Sequence, residues 1–393
     1  MIFHYLKIAF RNLCKHKTQN IISIIGLAVG LLCFCVCIYC SRFVESTDHC
    51  FANHDRIAEL NLYDGKADRY FSGSPVPLAE DLRTWALGET EAISSVTYPR
   101  ERPYYVELSP EKTLPYELET IEIDTCYNKI FTPEMVAGHW KMASQSLNSV
   151  ILSQSMAIKI FGNAESAIGK HMTLMRRLNT SPESTPKTGG IVYTIQAVMK
   201  DIPLNNSLDF MQNIDMLTVN DSEGLLQSPK RYNMTGANTY VLLSPQTTCT
   251  DLEKQFSKRD YTYTLYGEAY TVTASSMGAR LKKQGASYLG LVTGTVGTLI
   301  LLVGLINFFH FLIGSFFNRT KEYSIMKMIG CNWKQLFCLL FTQSLIVISI
   351  SSILVLSGIE LLGNHMNFSL PGFAMAFTSE TLLIHALQYI VLL

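Results

Sequence analysis

The chain has 393 residues, enough for two domains or more, and its formal net charge is zero. Hydrophobic residues make up 48% and charged residues only 16%, whereas ordinary soluble domains carry roughly 25% charged residues. That balance excludes a wholly soluble chain and points to membrane segments.

Residues 1–20 carry Lys7, Arg11, Lys15 and Lys17 and no acid. Ile2, Leu6, Ala9 and Leu13 recur at helical spacing, with Lys7, Arg11 and Lys15 on another face. This is either an amphipathic helix lying on anionic membrane lipid or a plain positive flank that sets topology. Ile21 to Tyr39, "IISIIGLAVGLLCFCVCIY", is uncharged over about one span length, and a first transmembrane helix is expected over 21–42. It is too long for a cleaved signal core and no small-residue cleavage site follows, so a retained anchor is expected. Cys37-Ile-Tyr-Cys40 has the CxxC form. In an apolar helix, however, cysteine packs as a small hydrophobe, and packing is the preferred reading.

Residues 43–286 hold 29 acids and 23 bases and read as a large α+β domain. Strand-like runs occur at 56–63, 118–124, 149–152, 191–199 and 239–243, and helix-like runs at 77–86, 153–161 and 249–256. Ser153 is suited to cap a helix and Gly162 to stop it. Asn179–Gly190, "NTSPESTPKTGG", reads as a polar loop. Cys50, Cys126 and Cys249 are an odd, widely spaced set and form no disulfide framework.

The stretch "GNAESAIGKH" carries Gly169-Lys170 near its end, as a phosphate-binding loop does. Such a loop needs a glycine five residues before Gly169 and a hydroxyl residue after the lysine. Those positions hold Ala164 and His171, and a helix precedes the stretch where a strand is required. A helix-to-strand turn is expected instead, with Gly169 supplying a positive φ. No His-Glu-x-x-His, Gly-x-Ser-x-Gly or metal-spaced His/Cys group is present. The alternating carboxylates Glu117, Glu119, Glu122 and Asp124 read as one face of a strand, not a glycosidase pair. No catalytic site, metal, cofactor or nucleic-acid partner is expected.

A second uncharged run fills 287–317, and a third, broken only by Glu360, fills 336–362. The segment 318–335 between them carries Arg319, Lys321, Lys327 and Lys334 against Glu322. Basic flanks stay cytoplasmic, which puts the N-terminus and 318–335 inside and 43–286 and the loop 363–380, uncharged over 363–378, outside. A fourth span begins over 381–393, but twelve residues from Leu382 cannot cross a core about 30 Å thick. Either it starts earlier or the sequence is cut short, and the second is favoured. The expected class is thus an α-helical transmembrane bundle of about four spans, the last incomplete. A large extracytoplasmic α+β domain is inserted between spans one and two.

Gly26-x3-Gly30 and Gly290-x3-Gly294 offer small faces for close helix packing, including at a dimer seam; incidental membrane glycine is the alternative. Asn307 and His310 share a face of the second span, and a hydrogen-bonded structural pair is preferred over a proton or substrate site.

Several blocks, in order, resemble the MacB/FtsX-type permeases of ABC transporters, which include half-size and eight-span forms. They are "YLKIAFRNLCKHKTQNIISIIGLAVGL", "FANHDRIAEL", "SVILSQSMAIKIFGNAESAIGKHM", "YTIQAVMKDIPLNNSLDF", "NTYVLL" and "LINFFHFLIGSFFNRTKEYSIMKMIGCNWKQLF". Where many relatives have Ile-Arg-Lys before the loop glycine, this chain has Ile325-Met-Lys327.

The resemblance implies a MacB-like periplasmic core over 43–286 and a multi-pass inner-membrane permease. A separate cytoplasmic ABC ATPase subunit would hydrolyse ATP, so the chain itself would not be an enzyme. Membrane lipid, a periplasmic adaptor, and a homodimer or second permease half are its implied partners. Segment 318–335 is then the ATPase-coupling loop, with Arg319, Lys321, Glu322 and Lys327 docking by charge and Gly330 allowing a turn; the alternative is that these bases only enforce topology. A lipoprotein-releasing or division-associated permease is the alternative within the family. A membrane-anchored sensor or adhesion protein without transport role is the alternative outside it.

Overall fold

The computed structural model describes residues 11, 15, 17–71, 73–85, 88, 90–109, 112–174, 190–208, 213–222, 224–227, 235–265, 267–279, 287–365, 367–370 and 373–376. Most of the expected N-terminal helix over 1–20, most of the polar loop 179–190 and the fourth span expected over 381–393 lie outside the described residues. The chain divides into two compact units, Thr47–Gln284 and the combination of Met1–Ser46 with Gly285–Leu393.

The chain opens with helix α1 (Lys17–Glu45). Within the larger unit the early elements are β1 (Ile57–Asp64), β2 (Arg69–Tyr70), β3 (Ser74–Pro75), α2 (Leu78–Thr84), β4 (Thr90–Thr97), β5 (Arg100–Ser109) and β6 (Lys112–Ile123). Next come α3 (Tyr127–Phe131), β7 (Met135–Gly138), α4 (Trp140–Gln145), β8 (Ser149–Ser153), α5 (Gln154–Phe161) and β9 (His171–Leu174). The unit finishes with β10 (Val192–Met199), β11 (Met216–Val219), β12 (Thr235–Leu243), α6 (Cys249–Lys258), β13 (Thr262–Leu265) and β14 (Glu268–Ser276). The five runs expected as strands are strands, and the three expected helices are helices.

These strands form one sheet in the order β11-β8-β10-β9-β5-β6-β4-β12-β1-β14-β13, with a further pairing of β11 to β6. That pairing closes β6, β11, β8, β10, β9 and β5 into a six-stranded ring. Its two parallel contacts, β8 with β10 and β6 with β11, join strands distant in sequence. Every strand of the ring sends residues into one core: Tyr104 and Val106, Leu118, Val150 and Leu152, Met172, Tyr193 and Ile195, and Met216. The alternation of these positions is the two-residue period of a strand with one buried face.

A second cluster packs the outer faces of β6, β8, β10 and β11 against Tyr127 and Phe131 of α3 and Ala143 of α4. A third packs β1, β4, β12, β13 and β14 against Leu78 and Leu82 of α2 and Leu252 and Phe256 of α6. Helix α6 has a complete capping box between Thr248 and Asp251, which satisfies N–H groups that its first turn would otherwise leave open.

Local chemistry explains "GNAESAIGKH". The Oγ of Ser153 accepts the Met156 N–H at the start of α5, and Gly162 ends the helix at φ +86°. Gly169 turns at φ +77°, and its N–H donates to the Ile195 carbonyl of β10. A methyl group at either glycine would meet nothing within 4 Å. Conformation, not space, therefore calls for glycine at both positions, and the stretch is a turn leading into β9.

The other unit contains α1, α7 (Ser287–Phe317), α8 (Thr320–Met328), α9 (Trp333–His365) and a hairpin of β15 (Asn367–Leu370) and β16 (Phe373–Ala376). The hairpin occupies part of what reads in sequence as an uncharged loop. The stretches Asn20–Glu45, Gly290–Phe317 and Trp333–Glu360 are long and apolar enough to cross a membrane. They are the only three such helices among the described residues.

Contacts along their lengths fix the directions of these helices. Gly30 meets Gly304, Cys37 meets Gly297 and Val44 meets Gly290, so α7 runs antiparallel to α1. Ser351 donates to the Ile24 carbonyl and Gly358 meets Leu32, so α9 runs parallel to α1. Leu27, Leu31, Phe308, Phe311, Val347 and Val355 fill the space among them.

Candidate functional site

The directions of the three long helices bring the start of α1 and the connection from α7 to α9 to one end of the bundle. Lys15 and Glu322 form an ion pair there at 2.9 Å. Helix α8 occupies most of this connection.

Its start is pinned from inside. Arg319 is 3% exposed. Its Nη1 donates to Oε1 of Gln343 at 3.0 Å, and Nε2 of Gln343 donates to Oγ of Ser315 at 3.2 Å. This joins the end of α7 to the third turn of α9 through a charge-assisted bond. Tyr323, also buried, stacks near Phe316 with ring centroids 5.7 Å apart.

Its end is a Schellman motif. The Gly330 N–H donates to the Lys327 carbonyl, the Cys331 N–H donates to the Met326 carbonyl, and Gly330 sits at φ +99°. The next helix begins at once. The side chain of Gln335 accepts the Asn332 N–H at 3.0 Å, which is the back half of a capping box. Two backbone caps in six residues thus set a tight, defined turn between α8 and α9.

The outward side of this turn is apolar and basic together. Ile325, Met328, Ile329 and Trp333 are 52%, 79%, 82% and 68% exposed. The ammonium of Lys327 lies 4.4 Å from the Trp333 ring centroid, a cation–π contact. Lys321 is exposed.

The four charged residues expected to dock a partner therefore separate into three groups. Lys321 and Lys327 face outward, Glu322 is engaged by Lys15, and Arg319 is an internal anchor. The reading of Arg319 as a docking charge is corrected here: a guanidinium buried between helices and spent on Gln343 has no exposed surface to offer. Sequence reading missed the exposed Ile325, Met328 and Ile329. It also missed the anchors Ser315 and Gln343, and the cap of α9, for which Asn332-x-x-Gln335 before an apolar run was a legible signal.

The glycines singled out in α1 and α7 lie on one seam within the chain. Gly26 faces the Asn307 amide, Gly30 faces Gly304, and Gly290 and Gly294 face Ser41 and Val44. Gly297, which the spacing argument overlooked, is the tightest toward a partner carbon: a methyl there would sit 2.5 Å from the Cys37 Cβ. The seam joins α1 to α7 of the same chain, so these residues are not available for a dimer seam. The expected Asn307–His310 hydrogen bond does not form. The Asn307 amide lies over Gly26, where only a glycine leaves room, and His310 is exposed three residues on.

Three membrane-length helices thus carry a large folded unit, inserted in the sequence between the first and the second. Over residues 294–393 the sequence matches the FtsX-like permease C-terminal family. No curated protein matches the sequence significantly.

Among solved structures, the chain is similar to a domain assigned to a permease protein of Porphyromonas gingivalis, at 21% identity and TM-score 0.43, covering 58% of this chain and 93% of that one. It is also similar to the periplasmic region of MacB from Actinobacillus actinomycetemcomitans, at 13% identity and TM-score 0.39, covering 61% of this chain and 96% of that one. A third likeness is to the extracellular domain of the noncanonic ABC-type transporter YknZ from Gram-positive bacteria, at 11% identity and TM-score 0.34, covering 56% and 99%.

Proposed function

We propose that the chain is the permease subunit of an ABC-type export or mechanotransmission complex. A separate cytoplasmic ATPase hydrolyses ATP, and α8 receives its motion. The Thr47–Gln284 unit is the extracytoplasmic part that the motion drives, in a homodimer or beside a second permease half. One observation carries the reading. Helix α8, within the family-matched segment, links two membrane-length helices and presents Ile325, Met328 and Ile329 beside Lys321 and Lys327. Exposed apolar side chains rimmed by charge mark a protein-docking surface.

The placement inside the cell rests on charge. Lys15, Lys17, Arg319, Lys321, Lys327 and Lys334 belong to the two segments joined by the Lys15–Glu322 pair, and basic membrane flanks stay cytoplasmic. The rigid link from Arg319 to Gln343 makes α8 a lever on α7 and α9 together, so a push on α8 moves two spans.

The test is co-purification: the chain solubilised from its native membrane is expected to recover a cytoplasmic ABC ATPase. Met328→Asp with Ile329→Asp is expected to lower recovery of the ATPase at least about tenfold, the loss of roughly 1.4 kcal/mol or more of docking energy. Lys66→Ala, in the other unit, is expected to leave it unchanged. Wild-type recovery and wild-type transport in the double variant would sink the assignment.

A further inference from the structure

The Thr47–Gln284 unit contains a cavity of about 360 Å³ between α2, the ends of β4 and β6, and the 220–227 segment. Its lining includes four carboxylates, Glu80, Glu122, Asp124 and Asp221, and one guanidinium, Arg83. The guanidinium is already committed. Nε and Nη2 of Arg83 both donate to the Ile93 carbonyl, at 2.9 and 2.7 Å, and Nη2 also pairs with Asp124. Asp221 accepts the Tyr193 hydroxyl at 2.7 Å and lies 3.5 Å from Nη1 of Arg102. Glu122 is bonded only to backbone N–H groups, so when ionised it keeps a negative charge in the lining.

Glu122 is 3% exposed and rigidly aimed. The N–H groups of Leu225 and Leu226 donate to its two oxygens at 2.6 and 2.9 Å. The backbone at Gly224 comes so close to this carboxylate that a methyl group there would collide with it.

An independent feature points into the same space. Ser95 is also 3% exposed, and its Oγ has no hydrogen-bond partner. It lies on the face of β4 that carries Ile93, the face that packs on α2, and so it borders the cavity. A buried hydroxyl left open costs about 1–3 kcal/mol unless something arrives to bond it. The wanted ligand is therefore small, positively charged and rich in hydrogen-bond donors. Among the described residues no group of three or more His, Cys, Asp or Glu is placed to hold a metal ion. The volume lies at the lower end of small-ligand sites, roughly 300–1,000 Å³, enough for an ammonium and its alkyl stem.

We propose that this cavity binds a primary alkylammonium group, carried by a free amine or by a lysine side chain, with Ser95 and Glu122 as its main acceptors. The site is separate from α8 and stands whether or not the ATPase-docking reading holds.

The test uses the purified full chain in detergent at pH 8, with ligand-observed saturation-transfer NMR. The probes are cadaverine, a capped Gly-Lys-Gly peptide, and the same peptide acetylated on the lysine nitrogen. Cadaverine, the unmodified peptide or both are expected to bind saturably, and which one binds separates a free amine from a peptide as the source. Glu122→Gln is expected to weaken binding about tenfold and Ser95→Ala about threefold, the scale of one charged and one neutral hydrogen bond. Glu268→Gln, an exposed site paired with Lys66, is expected to change nothing. Ser95→Ala removes an unbonded hydroxyl and keeps the fold, so it serves even if Glu122→Gln unfolds. Equal binding of the acetylated peptide, no binding of either amine, or wild-type affinity in Ser95→Ala overturns the proposal. So does calcium bound at this cavity with amines excluded.

Discussion

Glu122 is the residue whose environment departs furthest from that of an ordinary surface carboxylate. Burial, and then the nearby charge of Asp221, push its carboxyl up to about 7 from an ordinary value of 4.5, against the pull of two backbone N–H bonds. The folded chain then holds a proton that the unfolded chain releases between those values. Its contribution to stability is full below about pH 4.5 and is lost as pH rises through about 7. The shift corresponds to about 3 kcal/mol. Thermal melts of the purified chain at pH 5 and pH 8 are expected to show Glu122→Gln removing several degrees of that difference. An unchanged difference would mean that the carboxylate is ionised throughout. The sequence hid this role because a glutamate alternating along a strand reads as solvated. Only the 224–226 backbone, distant in sequence, turns that face into an interior.

Among the elements, the α1–α7 seam and the α7–α8–α9 turn make contrasting demands. The seam depends on the absence of side chains: Gly297→Leu is expected to cost about 1–3 kcal/mol by overpacking against Cys37, read as a lower melting temperature in detergent. Leu299→Ala on the exposed side of α7 is expected to change little, and equal losses at both positions would refute the seam. The turn depends on satisfied polar atoms. Arg319→Met strips Gln343 of its donor and is expected to cost about 1–3 kcal/mol. Lys321→Ala is expected to stay within about 0.5 kcal/mol, the comparison being made by the same melts. These elements were partly legible in the residue pattern. Gly26-x3-Gly30 was visible as a small face, but Gly290, Gly297 and Gly304, spaced by seven, were not connected to it. Pairing an outgoing helix with a returning one needs knowledge of direction, which periodicity lacks. Arg319 looked like any basic flank because burial of an arginine depends on Gln343, which sits in the next long helix.

At the scale of the molecule, hydropathy runs were enough to define the three long helices, since an apolar stretch of span length has few other fates. The α+β character of the large unit was also legible, from caps and alternation. The closed ring was not, because it depends on the β6–β11 and β8–β10 pairings, and strand pairing between distant segments leaves no local mark. The division of the helical unit has a consequence in time. Its first helix and that helix's main partner, α7, are separated by the whole of Thr47–Gln284. At about 5–20 residues per second of synthesis, α1 waits on the order of 10–50 seconds in the membrane before Gly297 and Gly304 emerge. Through that interval its small-residue face, Gly26, Gly30, Cys37 and Ser41, lies against lipid or against whatever helix arrives first. Correct assembly is then a matter of order of arrival as well as of fit. A chain whose middle segment is made more slowly would leave that face open longer to wrong partners.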